Sequence, residues 1–199
     1  MEKELFDSIA EELRGEGVMK PKKQGVEIKL RPTEQECKDL LMQALQYVVG
    51  EKAQWLPEYD NIAKWMNDNR ERGLLCYGNC GRGKTTICAD IMPVLFKQRY
   101  NKIVHVFKSQ EMNTRIDEIL NYHLLMLDDV GIEQESVVFG NRRMAFPEIV
   151  DDAESKGKLL LITTNLTLDE LESKYGQRTI DRLRAIVSTV RFTGGSKRG

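Results

Sequence analysis

No stretch of this sequence stays apolar for the roughly 20 residues that a helix needs to cross a bilayer. Its opening, MEKELFDSIAEEL, is too acidic and too mixed for a signal peptide, so a cytoplasmic protein is expected. Net charge is nearly absent as well: 30 basic against 31 acidic residues leave a formal charge of -1. No global field therefore draws the chain to nucleic acid or acidic lipid, and any such contact must be local. Cysteine is sparse. Cys37, Cys76, Cys80 and Cys88 lack the CxxC spacing of a zinc site and read as small packing residues rather than metal ligands or disulfide partners. Internal repeats and low-complexity tracts are missing too. What is there is a chain of 199 residues, 41% hydrophobic and 31% charged, enough for one main domain with a small appendage.

The appendage comes first. Residues 2 to 14 carry Leu5, Phe6, Ile9, Ala10 and Leu13 as a helical stripe on a charged segment. RGEGVMKPKKQG then breaks the pattern and reads as a linker, whose Lys20, Lys22 and Lys23 form a solvated charge run or, alternatively, a contact for nucleic acid. A second helix is announced by the capping box of Thr33 and Glu36, with Cys37, Leu40, Leu41, Ala44, Leu45 and Val48 following at helical spacing to an end near Gly50. We place the boundary there: residues 1–50 as a helical N-terminal extension whose apolar faces are to be covered by a partner or by the body of the domain, residues 51–199 as the main domain.

Past a short helix holding Ile62, Trp65 and Met66, apolar strands alternate with amphipathic helices. The strands are GLLCYG, KIVHVF, HLLMLDD, KLLLITT and STVRFTG. The helices between them run from about Thr85 to Gln98, Gln110 to Leu120 and Arg142 to Glu154, with TLDELESKYG and RTIDRLRA before the last strand. The alternation predicts an α/β domain with a five-stranded parallel sheet covered by helices on both faces.

Gly78-Asn79-Cys80-Gly81-Arg82-Gly83-Lys84-Thr85, followed by Thr86, matches GxxxxGK[ST] and lies between a strand and a helix. Glycines let backbone N–H groups turn inward around phosphates, and the following helix adds the positive end of its dipole. Lys84 is expected on the β- and γ-phosphates of a nucleoside triphosphate and Thr85 on Mg²⁺. HLLMLDDVG carries Asp128 and Asp129 to the end of a buried strand, where two adjacent carboxylates need a cation. Asp128 fits the Mg²⁺-holding role of a Walker B aspartate. Asp129 is next in line to polarise an attacking water, with Glu133 as the alternative. Asn165 ends another strand and offers both a donor and an acceptor to the γ-phosphate and the water, or caps the next helix. Arg178 and Arg182 stand four apart on one helical face with Arg184 turned away, and taken alone they read as partners of Asp181 or Glu172.

In this order, GxxGxGKT, a strand with Asp-Asp-Val-Gly, a strand ending TTN, and YGxRxxxRLR followed by FTGGSKR, the motifs resemble the AAA+ ATPases of the DnaC helicase-loader and IstB type over about residues 55 to 198. The resemblance implies an ASCE P-loop NTPase fold, ATP hydrolysis and subunits that complete one another's sites. By position it makes Asn165 sensor 1, Arg182 the arginine finger acting in trans, Arg178 its companion and Arg198 sensor 2. It implies a homo-oligomer and a replicative helicase or other DNA-processing protein as partners. Single-stranded DNA is a further partner of such loaders, but residues 108 to 122 are too few for the helical insertion with which they grip it. No room follows Arg198 for the helical lid of most AAA+ proteins. The activity expected is that of a replication accessory ATPase. The alternatives are an IstB-like transposition helper, a nucleotide-dependent switch with negligible turnover, and a P-loop small-molecule kinase, for which these crossovers offer no substrate region.

Overall fold

The computed structural model describes residues 2–19, 25–133, 136–138 and 141–196. Lys20, Lys22, Lys23 and Arg198 lie outside the described residues. The two N-terminal stripes have different fates. Helix α1 (Glu2–Gly15) leaves Leu5, Phe6 and Ile9 exposed. Helix α2 (Glu34–Val49) starts on both arms of the capping box, Glu36 N–H to Thr33 Oγ1 and Thr33 N–H to Glu36 Oε2, and buries Cys37, Leu41 and Leu45. An extended strap before it sinks Ile28 and Leu30 into the same core and is held by Asn69, whose Oδ1 accepts the Ile28 N–H at 2.7 Å. The boundary expected near residue 50 thus runs through one packed core, because the apolar stripe of α2 is covered by the body of the domain.

Helix α3 (Glu58–Asn67) delivers the chain to β1 (Gly73–Gly78). The segment after the glycine loop begins with a π-helical turn, Thr86–Ile91, and continues as α4 (Met92–Tyr100). A plain helix from Thr85 was expected. Pro93 has no N–H to give the regular ladder, and the turn ahead of it widens so that the Met92 N–H reaches Ile87 O. Next come β2 (His105–Lys108), the short helices α5 (Ser109–Met112) and α6 (Ile116–Ile119), and β3 (Leu124–Asp128). The helix expected over 110–120 is therefore broken: Asn113 turns its side chain to the Ala145 N–H at 2.8 Å instead of extending the turn.

A two-stranded hairpin, β4 (Ser136–Val138) with β5 (Asn141–Arg143), precedes α7 (Ala145–Lys156). The helix expected from Arg142 starts three residues later because Pro147 is tolerated only within the first turn. Then follow β6 (Leu159–Thr164), α8 (Leu168–Tyr175), α9 (Gln177–Ile186) and β7 (Val187–Phe192). Five strands pair in parallel in the order β2-β3-β6-β1-β7. Strands β3 and β6 are buried throughout, as continuous apolar runs require.

Alternate strand residues feed two cores, one per face. Leu74, Cys76, Met126 and Leu161 pack with α2, α3 and α4, whereas Leu75, Leu125, Leu127 and Ile162 pack with α5 to α9. Most important for the site is β6. It lies between β1 and β3, so the tip of the TTN strand falls between the glycine loop and the two aspartates.

Candidate nucleotide site

Gly78 ends β1 at φ +110°, where a Cβ would collide with the Phe192 carbonyl. The loop that follows is closed by Lys84, which donates to Gly78 O at 2.8 Å and Asn79 O at 2.7 Å. Lys84 also donates to Asn165 Oδ1 at 2.9 Å, and the Asn165 amide donates in turn to Asp129 Oδ1 at 3.3 Å. Both functions of the Asn165 amide, donor and acceptor, are used within the site.

Thr85 Oγ1 donates to Asp128 Oδ1 at 2.9 Å, and Thr163 Oγ1 donates to the same oxygen at 2.6 Å. Thr163 was not among the expected residues, although the hydroxyls of LLLITTN stand at the strand tip. It also accepts the Asp129 N–H at 2.9 Å. Asp129 itself has φ +55°, a left-handed conformation that costs a non-glycine residue on the order of 1 kcal/mol. In an undistorted strand its carboxylate would point away from that of Asp128; the turned backbone brings it to the pocket instead.

Glu133 is placed differently. Its carboxylate accepts the Gly131 N–H at 2.8 Å and the Tyr175 hydroxyl, and Lys174 lies 3.8 Å away. These bonds tie the loop after β3 to α8, and Glu133 does not line the pocket.

Lys84, Thr85, Thr86, Asp129, Asn165 and the loop from Cys80 to Gly83 line one pocket of about 680 Å³. Its far wall was missed from sequence. Leu45 and Val49 of α2, with Ala53 and Leu56 before α3, supply its apolar part, beside Lys52, Gln54 and Tyr59. They lie some 30 residues before the glycine loop and carry no motif; the only cue is the apolar content of AQWLP between two helices.

Cys80 is exposed in the loop, contrary to the expectation that all four cysteines pack. It lines the open pocket rather than either core. Cys37, Cys76 and Cys88 are buried as expected. Arg82 belongs to the loop by its backbone, while its guanidinium pairs with Glu58 at 2.8 Å.

Asp128 and Thr85 present adjacent hard oxygens, a donor set that fits Mg²⁺, which keeps water and phosphate as its other ligands. Burial, and then the negative charge of Asp128, push the nearby Asp90 carboxyl up. Among the described residues no group of three or more His, Cys, Asp or Glu forms a metal cage.

The arginines of α9 are elsewhere. Arg182 pairs with Asp151 and, at 3.5 Å, with Glu154, both on α7 of the same chain. Asp181 and Glu172, the partners read for the arginine pair, serve Arg184 instead, at 3.7 and 3.8 Å. Arg178 is exposed, and neither Arg178 nor Arg182 lines the pocket.

No family model and no curated protein sequence matches the chain. Solved structures do. The crystal structure of DnaI superposes with a TM-score of 0.50 at 24% identity, over 78% of this chain and 86% of that one. A candidate primosome component from Streptococcus pyogenes serotype M3 gives 0.52 at 18% identity, over 86% of each chain. The DnaC helicase loader gives 0.53 at 18% identity, over 83% of this chain and 96% of that one. Among the described residues no helix is long and apolar enough to cross a membrane. With one strand inserted between those that carry the glycine loop and the paired aspartates, the chain shares its fold with DnaI and the DnaC helicase loader.

Proposed function

We propose that the chain binds ATP with Mg²⁺ and hydrolyses it as one subunit of an oligomer, acting as a DNA replication accessory factor of the helicase-loader kind. The observation that carries this reading is the meeting of Lys84, Thr85, Asp129 and Asn165 at one pocket, with Asp128 bonded to Thr85 behind it. Lys84 would leave its carbonyl partners for the β- and γ-phosphates. Asp129 and Asn165 would orient the attacking water. Mg²⁺, held by Thr85 and Asp128 when bound, supplies charge neutralisation on the phosphates. A neighbour's Arg182, with Arg178 beside it, would stabilise the charge that develops on phosphoryl transfer. The helicase-loader assignment is supported by the descriptions of two similar structures, a primosome component and a helicase loader.

One observation favours a second reading, a nucleotide-dependent switch with little turnover. Arg182 is already engaged by Asp151 and Glu154 of its own chain and would have to leave them to reach a neighbour's site. The test is titration with a fluorescent ATP analogue, phosphate release with and without a replicative helicase and DNA, and association with the helicase in a non-hydrolysable analogue. The proposal expects binding, partner-stimulated phosphate release and ATP-dependent association. Absence of nucleotide binding overturns both readings. Binding and association without phosphate release, even with helicase and DNA present, leaves the switch.

A further inference from the structure

Three separate pieces of chain meet at Arg82. Its Nε and Nη2 donate to the two carboxylate oxygens of Glu58 at 2.8 and 2.9 Å, with side chains only 8% and 6% exposed. The Arg82 carbonyl accepts the hydroxyl of the next residue, Tyr59, at 3.1 Å. Glu58 also accepts the Thr193 N–H at 2.9 Å, just past β7, and Arg82 Nη1 donates to Gly195 O at 3.2 Å. Asn79, at the other end of the loop, donates to Gly194 O at 2.8 Å. The first residues of α3 and the segment after β7 therefore grip the glycine loop, and Tyr59 lines the pocket beside it.

Packing alone does not call for such a pair. A buried arginine and carboxylate cost several kcal/mol each to desolvate, and apolar residues of equal volume stabilise a core as well or better. The peptide geometry supplies another role. The Arg82 carbonyl and the Gly83 N–H belong to one peptide unit, which is trans, so they point in opposite directions. A hydroxyl that holds the carbonyl therefore also fixes the direction of the Gly83 N–H, one of the loop groups a phosphate would meet. Tyr59 stands so near that a Cβ on Gly83 would lie 2.6 Å from its hydroxyl, at φ +85°. Burial pushes the Tyr59 hydroxyl up to about 12, so it remains a donor at any working pH.

We propose that Glu58 and Tyr59 are positioning residues that hold the phosphate loop in its receptive shape, acting through the guanidinium and the carbonyl of Arg82. The clamp joins the apolar end of the pocket, which α3 follows directly, to the phosphate end and to the segment after β7. It rests on the reading of the pocket as an ATP site, and the wild-type titration tests that reading by itself.

The experiment compares ATP affinity, KM, kcat and nucleotide-free melting in Tyr59→Phe, Glu58→Gln, Arg82→Met, Arg82→Lys and the Glu58→Gln/Arg82→Met double variant. Tyr59→Phe removes one hydroxyl and is expected to weaken ATP about tenfold, through KM rather than kcat, with melting little changed. Glu58→Gln and Arg82→Met open the same clamp from either side. Their losses should not add in the double variant, and Arg82→Lys should recover part of the affinity. If the buried pair proves necessary for folding, Tyr59→Phe and Arg82→Lys still decide. Tyr59→Phe binding ATP like a binding-competent wild type, or additive losses at Glu58 and Arg82, would overturn the clamp alone. A wild type that does not bind ATP removes the ATP reading and the clamp together.

Discussion

Asp128 and Asn165 stand at the ends of two neighbouring strands and Lys84 just past the loop that leaves the third, whereas Arg178 and Arg182 stand on a surface helix with Arg182 tied to α7 of its own chain. The first group is fixed by the sheet. Once β6 pairs between β1 and β3, no freedom is left that would keep those side chains apart. The second group is fixed only on one side: Ile180 and Leu183 bury the inner face of α9, and the outer face is left to charge. A site built by strand pairing is complete within one chain, and a residue on an outer helix face can act only on something brought to it.

The sharpest way to break this comparison is Arg182→Ala. If a neighbour uses Arg182, turnover in an assembled sample falls by about 10³ or more while ATP affinity stays nearly intact. The monomer should lose at most about 1 kcal/mol, because half-exposed ion pairs contribute little. Equal turnover in wild type and variant, at concentrations where both assemble, would place Arg182 on the side of structure alone. Next in size is Lys84→Ala, expected to weaken ATP by on the order of 10² or more through loss of its phosphate contacts, read from the same titration. An unaltered titration curve would refute the phosphate role of the loop.

A third experiment works inside the strand-built group. Asp129→Asn keeps the shape and removes the charge, and is expected to cut turnover by about 10² with affinity retained. Glu133→Gln keeps bonds to Gly131 and Tyr175 and should leave turnover within a few-fold. The reverse pattern would transfer the water-orienting role to Glu133.

Much of this architecture was legible because it is local. LLMLD and LLLITT are continuous apolar runs whose only stable place is inside a two-faced sheet, and the glycine spacing of residues 78 to 83 has few other uses. What escaped the sequence depends on distant contacts or on single residues. The left-handed turn at Asp129 is held by Thr163 from another strand. The hairpin of β4 and β5 hides in a stretch that also fits a helix until Pro147 limits where the helix can start. The stripes of α1 and α2 look alike on paper, yet α2 sinks Cys37, Leu41 and Leu45 into the core while α1 buries Ala10 and leaves Leu5, Phe6 and Ile9 exposed. The destination of Arg82 was invisible for a plainer reason: Glu58 is 24 residues away.

The smallest expected effect contrasts that buried pair with the surface pair of Arg182. Burial by itself pushes the Glu58 carboxyl up, but hydrogen bonds from Arg82, its own N–H and the Thr193 N–H outweigh it and hold the carboxyl below the usual glutamate range. A carboxylate so held contributes stability that is fully present above its unfolded value, near about 4.3, and is lost as the pH falls through the lower folded value. Wild type should therefore lose stability on acidification below about pH 4.3 with a component that Glu58→Gln lacks, worth at most about 1.4 kcal/mol per pH unit for one proton. Denaturant midpoints measured from pH 5.5 down to pH 3 would read it as two curves that converge toward acid. Curves that stay parallel would mean that the charge of Glu58 holds nothing in place, and the loop would then depend on Tyr59 alone.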